Sequence, residues 1–132
     1  MGNKTFSKIV SESSQGLNKI NSDQLNKLIE EDKDMIILDV SDKEVVDERG
    51  SVPGALNVSL GSLYFKADAE VPDDYKDDRI QNREKKVVMT CTIGACAAIG
   101  GKLLKDMGFK DVVLLEGGTE AWKKSGYNLE KK

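Results

Sequence analysis

Two cysteines, Cys91 and Cys96, stand five positions apart in a chain of 132 residues, and no histidine accompanies them. The nucleophilic form of cysteine is the thiolate, so these sulfurs are the natural candidates for covalent or redox chemistry. The absence of histidine removes the imidazole general base, the commonest metal ligand and every Cys-His or Ser-His pairing. Two thiols are too few for a disulfide framework or a structural zinc site, and neither a metal nor a cofactor is expected. A packing role stays open for each, because free cysteine is among the most buried residue types.

Cys91 immediately follows Lys86–Thr90, an apolar run of strand length. Open α/β sheets bind ligands beyond the carboxyl ends of their strands, which is where this placement puts the sulfur. Thr92, Ile93, Gly94, Ala95 and Cys96 then make a tight link into a helix predicted over residues 95–107. The N–H groups of such a loop and the helix N-terminus favour an anion at the sulfur. Gly94 suits a backbone position of positive φ. Gly100 and Gly101 each cost about 1 kcal/mol relative to alanine inside a helix, a loss that close packing on the sheet has to offset. Ile99, Leu103, Leu104 and Met107 are expected to face the core, with Gly108 as the stop. Cys96, one turn into that helix among alanines, is either a small core residue or a redox partner for Cys91.

The rest of the chain supplies the frame. Phe6, Ile9 and Val10 fall at i, i+3 and i+4 and predict a short amphipathic helix, followed by a polar stretch over residues 11–16. Asn21 with Gln24 three positions on forms a capping-box signature, and Ile20 with Leu25 a hydrophobic staple, for a helix through Leu28 and Ile29. Residues 35–40 are continuously apolar apart from Asp39 and read as a strand covered on both faces. Asp39, at its end, is expected to order a loop or cap a helix. Ser41 or Asp42 can cap a short helix through Val45 and Val46 that Gly50 ends; Val52-Pro53-Gly54 turns into a short strand over residues 55–58. Residues 61–82 are irregular, with Tyr64, Phe65 and Tyr75 as isolated anchors and a helical turn or two over 62–68. Asp111–Leu115 is a further strand, Gly117-Gly118 a turn, and residues 120–124 a last helix that lays Trp122 on the core. Strand and helix alternate, which gives an α/β open sheet with helices on both faces.

A hydrophobic content of 39% supports one core, read as a helical extension over residues 1–16 and a single domain over 17–132. Twenty Lys and Arg are scattered against 23 Asp and Glu, for a net charge of −3, so nucleic acid is not an expected partner. No apolar run approaches the roughly 20 residues of a membrane helix, and residues 1–10 lack a signal-peptide apolar region; a cytoplasmic location follows as the expectation. Nothing in the residues specifies an oligomeric state.

Four segments taken together, Ile37-Leu38-Asp39-Val40, Gly50-Ser51-Val52-Pro53-Gly54-Ala55-Leu56-Asn57-Val58, Cys91-Thr92-Ile93-Gly94 and Leu115-Glu116-Gly117-Gly118 with Trp122, resemble the rhodanese (sulfurtransferase homology) domain in order and spacing. The resemblance covers about residues 19–126. It implies a rhodanese-like, mostly parallel open sheet and a sulfurtransferase in which Cys91 holds sulfane sulfur as a persulfide, with no cofactor. Thr92, Ile93, Gly94, Ala95 and Cys96 are then the active-site loop, and Asp39 and Ser41 supporting residues. The implied partners are a small sulfur donor, thiosulfate or a low-molecular-weight persulfide, and an acceptor, cyanide or a thiol such as glutathione or thioredoxin.

Family members usually carry Arg after the Asp-Val pair, His in the Gly-His-Ile-Pro segment and Arg five residues beyond the catalytic cysteine; this chain has Ser41, Ser51 and Cys96. The loop thus lacks a cation of its own, and weak or unusual use of the dianion thiosulfate is expected. Two alternatives stand beside the sulfurtransferase: a Cys91/Cys96 dithiol switch or reductase, which requires a Cα separation of about 4.4 to 6.8 Å, and a catalytically idle interaction module. The related cell-cycle phosphatases need Arg six residues beyond the cysteine, where this chain has Ala97.

Overall fold

The computed structural model describes residues 2–131; Met1 and Lys132, the outer ends of the two expected segments, lie outside them. Along the chain run α1 (Phe6–Ser14), β1 (Asn18–Ile20), α2 (Ser22–Glu31), β2 (Ile36–Asp39), α3 (Lys43–Arg49), β3 (Leu56–Asn57), α4 (Leu60–Lys66), a 3₁₀ turn (Asp78–Ile80), β4 (Lys86–Thr90), α5 (Ala95–Asp106), β5 (Asp111–Leu115) and α6 (Gly118–Lys124). The strands form one sheet in the order β1-β5-β4-β2-β3, and every pairing within it is parallel.

Parallel strands buried on both faces lack alternation, which is why Ile36–Leu38 and Val87–Met89 read as solid apolar runs; with Asp39 and Thr90 after them they are buried at every position. Helices cover both faces. On one, Val10 of α1, Leu63 of α4 and Ala97, Ala98 and Leu104 of α5 close over Leu38, Val87, Met89 and Leu114. On the other, Leu25 of α2 and Trp122 of α6 pack with Ile37, Val88, Val113 and Leu115.

The capping box is present: Asn21 accepts from the Gln24 amide and the Gln24 side chain accepts from the Asn21 amide, each at 2.8 Å. Gly50 ends α3 in the left-handed region, at φ +82°. Trp122 lies in the core, 2% exposed, its Nε1 donating to the Asn128 carbonyl at 2.8 Å.

Four expectations are corrected. The polar stretch over residues 11–16 does not simply follow the first helix but belongs to it in large part, because α1 continues to Ser14. β1 precedes α2, where no strand is expected: three residues with one large apolar side chain give no periodic signal, and only pairing with Val113, Leu114 and Leu115 makes them a strand. Tyr64, Phe65 and Tyr75 are not anchors; all three are exposed, Phe65 and Tyr75 meeting edge to face, while Leu63, Ala67 and Ile80 carry that segment's burial. In α5 the deepest face is Ala97, Ala98, Gly100, Gly101 and Leu104, with Ile99 and Leu103 only half-buried. Close approach explains the shift: a Cβ on Gly101 would stand 2.7 Å from Leu17 Cδ1, and one on Gly100 would stand 3.0 Å from Met89 Cε.

Candidate active site

The sheet reverses its winding between β2 and β4, since the connection after β2 leads outward to β3 and that after β4 leads the other way to β5. Such a point opens a crevice at the strands' carboxyl ends. Here Val40, Ser41 and Asp42 from the end of β2 face Cys91 and Thr92 from the end of β4 across a cleft of about 430 Å3.

Cys91 lies at the bottom, 5% exposed. Its Sγ accepts the Gly94 N–H at 3.1 Å and the Ala97 N–H at 3.4 Å. The loop turns back on itself because Gly94, the N-cap of α5, sits at φ +98°, a region costly for residues with a Cβ. Thr92 and Ile93 form the exposed crest, Ala95 and Cys96 are half-buried, and Cys96 lines the same cleft as Cys91. Two N–H donors and the positive end of a twelve-residue helix converge on one sulfur, an arrangement that stabilises a thiolate and equally a terminal sulfur anion.

The back of the loop is clamped by α6. The Cys91 carbonyl accepts the Thr119 N–H at 2.8 Å and the Thr92 carbonyl accepts the Glu120 N–H at 2.9 Å. The buried Thr90 hydroxyl donates to the Cys91 carbonyl at 3.1 Å and lies 2.9 Å from the Thr119 hydroxyl. Gly118 is the contact point; a Cβ there would fall 2.5 Å from the Cys91 carbonyl oxygen. Gly118 is therefore a packing requirement of the Cys91 loop, beyond the simple turn its sequence suggests, whereas a Cβ on Gly117 would meet Ala121 Cβ of α6 itself at 2.6 Å.

Asp39 and Ser41 order the facing wall. Asp39, fully buried, accepts the Ser41 N–H at 3.0 Å and the Ser51 hydroxyl at 2.5 Å, and pairs with Arg49 at 3.3 Å. Asn57 donates to the Asp39 and Ser41 carbonyls at 3.0 and 2.8 Å. Arg49 also donates to the Gly50 carbonyl, to Ser41 Oγ at 2.9 Å and to Thr92 Oγ1 at 3.3 Å. The loop itself has no cation, as its sequence shows, but Arg49, 43 positions upstream of Thr92, reaches its flank. This guanidinium is bound to Asp39 and does not line the cleft. Arg49, Asn57, Thr90 and Thr119 escape sequence reasoning because each acts through hydrogen bonds to residues at least eight positions away; the available signals were only a polar residue closing an apolar strand, Thr90, and the tight double glycine before Thr119.

Burial pushes the Cys96 thiol up, and the neighbouring Cys91 sulfur and Asp42 carboxylate push the same way. The two sulfurs are therefore inequivalent: one receives two N–H donors, the other is held as a thiol.

Comparison with known proteins agrees with this geometry. Residues 21–125 match the family model of the rhodanese-like domain. The thiosulfate sulfurtransferase GlpE of Coxiella burnetii is 30% identical over 91 residues, 69% of this chain and 74% of the relative. A Rhodopseudomonas palustris protein of unknown function, described as a possible tyrosine phosphatase, superposes with a TM-score of 0.89 at 27% identity, over 98% of this chain and 97% of that one. A rhodanese-like domain protein from Staphylococcus aureus superposes with a TM-score of 0.67 at 27% identity, over 88% of this chain and 99% of that one. With the cysteine-bearing loop, the double-glycine clamp and the parallel sheet all in place, the chain belongs to the rhodanese-like domain family.

Proposed function

We propose that this chain is a sulfurtransferase that carries sulfane sulfur as a persulfide on Cys91. The observation that carries the reading is the pair of N–H donors on Cys91 Sγ, from Gly94 and Ala97, at the bottom of an open cleft. In the first half-reaction the Cys91 thiolate attacks the sulfane sulfur of the donor; a new S–S bond forms, the donor's S–S bond breaks, and its electron pair leaves with the rest of the donor. The loop N–H groups then hold the terminal sulfur anion. In the second, an acceptor nucleophile, cyanide or a thiol such as glutathione or thioredoxin, takes that sulfur and the Cys91 thiolate is regenerated. Neither step uses an imidazole, a metal or a cofactor.

Thiosulfate is a poor fit. Asp42 lines the cleft, Arg49 is engaged by buried Asp39, and none of the described lining residues is lysine or arginine. The persulfide group itself brings at most one negative charge to the sulfur, against the two of thiosulfate. Phosphoryl transfer is not favoured, because Ala97 stands where a phosphate-clamping arginine would be needed and is buried. Free thiols of this kind work in a reducing compartment, consistent with a cytoplasmic setting.

The test is intact mass spectrometry of the reduced protein after exposure to thiosulfate and, separately, to glutathione persulfide, with Cys91→Ser and Cys96→Ser beside the wild type. Gain of one sulfur atom that requires Cys91 and not Cys96 supports the carrier. Loss of two hydrogens requiring both cysteines replaces it with a dithiol switch, and no change with either donor replaces it with an interaction module.

A further inference from the structure

The walls of the Cys91 cleft are apolar where a site for inorganic sulfur anions would be basic. Phe6, Val45, Leu60 and Ile93 surround the approach to the sulfur, and the ionised lining residue is the anion Asp42. Three of these side chains stand open to solvent, Phe6 at 58%, Val45 at 41% and Ile93 at 62% exposed. They come from three separate elements, α1, α3 and the catalytic loop, and are brought together only around the nucleophile. Large apolar side chains held exposed on converging elements at a reactive atom mark a surface that a ligand covers.

We infer that the physiological donor bears its sulfane sulfur on an apolar organic group, which packs against Phe6, Val45, Leu60 and Ile93, and that Phe6 is a specificity-determining residue for it. This rests on the sulfurtransferase reading above. Phe6 lies outside the residues that match the family model, so the N-terminal helix adds a wall to the shared site. α1 packs on α5, the helix that begins at the catalytic loop, and this fixes Phe6 at the cleft mouth. The charge pattern points the same way: a dianion meets Asp42 and no free cation, whereas an apolar group gains from burial without requiring one.

For an organic persulfide the step is RS–SH plus the Cys91 thiolate giving the Cys91 persulfide, with its proton, and RS⁻. For an organic thiosulfonate the outer sulfur passes to Cys91 and the electron pair of the broken S–S bond leaves on the sulfinate. In both, one zero-valent sulfur moves and no outside oxidant or reductant takes part.

The experiment compares benzenethiosulfonate with methanethiosulfonate, two monoanions that release sulfinates and differ in the apolar ring, with thiosulfate as a third donor. Rates of thiocyanate formation with cyanide as acceptor are measured for wild type and Phe6→Ala, each normalised to the donor's reaction with free glutathione. The wild type should prefer the aryl donor by about tenfold or more in kcat/KM, equivalent to about 1.4 kcal/mol, and Phe6→Ala should reduce that preference severalfold through KM. Circular dichroism checks that Phe6→Ala is folded, as the exposure of Phe6 leads one to expect. Normalised aryl and methyl rates within twofold of each other, or an unchanged preference in Phe6→Ala, overturn the inference while leaving Cys91 as the carrier. Failure of all three donors, and of glutathione persulfide, to load Cys91 overturns the sulfurtransferase reading itself.

Discussion

The Cα of Gly118 lies so close to the carbonyl of Cys91 that a Cβ built on it would stand 2.5 Å from that oxygen and 2.8 Å from the Gly94 nitrogen. Its φ of +64° adds the penalty of the left-handed region. The N-terminus of α6 thereby holds the Cys91 loop by backbone contact, and the shape of the cradle around the sulfur depends on a residue 27 positions away from it in the chain.

Gly118→Ala should accordingly do two things. Backbone strain and loop displacement should cost about 1–3 kcal/mol of stability, read by urea unfolding. Sulfur loading of Cys91 should slow by about tenfold or more, since each 1.36 kcal/mol of misplaced stabilisation is tenfold in rate. A variant with wild-type stability and loading rate would contradict the clamp.

Arg49→Ala removes the guanidinium from Asp39, which keeps its hydrogen bonds from Ser51 and the Ser41 amide. A loss of about 1.5–3 kcal/mol is expected, the range for a hydrogen bond to a charged group. Because Arg49 does not line the cleft, the variant's KM for a monoanionic thiosulfonate should change far less than its unfolding midpoint. A large KM effect with unchanged stability would instead make Arg49 a substrate ligand.

Trp122→Ala should destabilise the fold by about 3–5 kcal/mol, as for other buried large aromatics. Trp122 is 2% exposed and stacked on Tyr127 with ring centroids 4.5 Å apart. A change within about 0.5 kcal/mol, the range of ordinary surface substitutions, would contradict its core position.

Cys96 should be slow to alkylate. In the Cys91→Ser variant, carboxymethylation of Cys96 should set in at more alkaline pH than that of a free cysteine, because burial, the largest cause, and Asp42 both remain. A thiol whose folded pKa is raised favours the protonated native state. Its contribution to stability is therefore complete below the ordinary thiol pKa and is lost as pH rises through the raised folded value. Cys91→Ser should thus lose more stability on going to alkaline pH than Cys91→Ser/Cys96→Ser does. Identical pH profiles would show that Cys96 is not held as a thiol.

Local and repetitive information was legible in the sequence. Apolar runs identified β2, β4 and β5 because a strand covered on both faces is apolar along most of its length; the Asn21–Gln24 capping box set the start of α2; and a cysteine following a buried strand, with Gly94 behind it, marked the loop whose N–H groups meet the sulfur. The resemblance carried by four short segments then named the family that the comparisons show. Tertiary structure alone decided the rest, because it rests on contacts between residues far apart in the chain. Pairing with β5 made a strand of Asn18–Ile20, and close approach to Leu17 and Met89 turned the glycine face of α5 inward in place of Ile99. Arg49 came to the flank of the loop through Asp39, and Phe6 came to the mouth of the cleft through α1. A single hydrogen bond or wall contact across tens of residues leaves no periodicity and no spacing rule, so the sequence singled out the sulfur proposed to react, and the folded chain determined the surface that surrounds it.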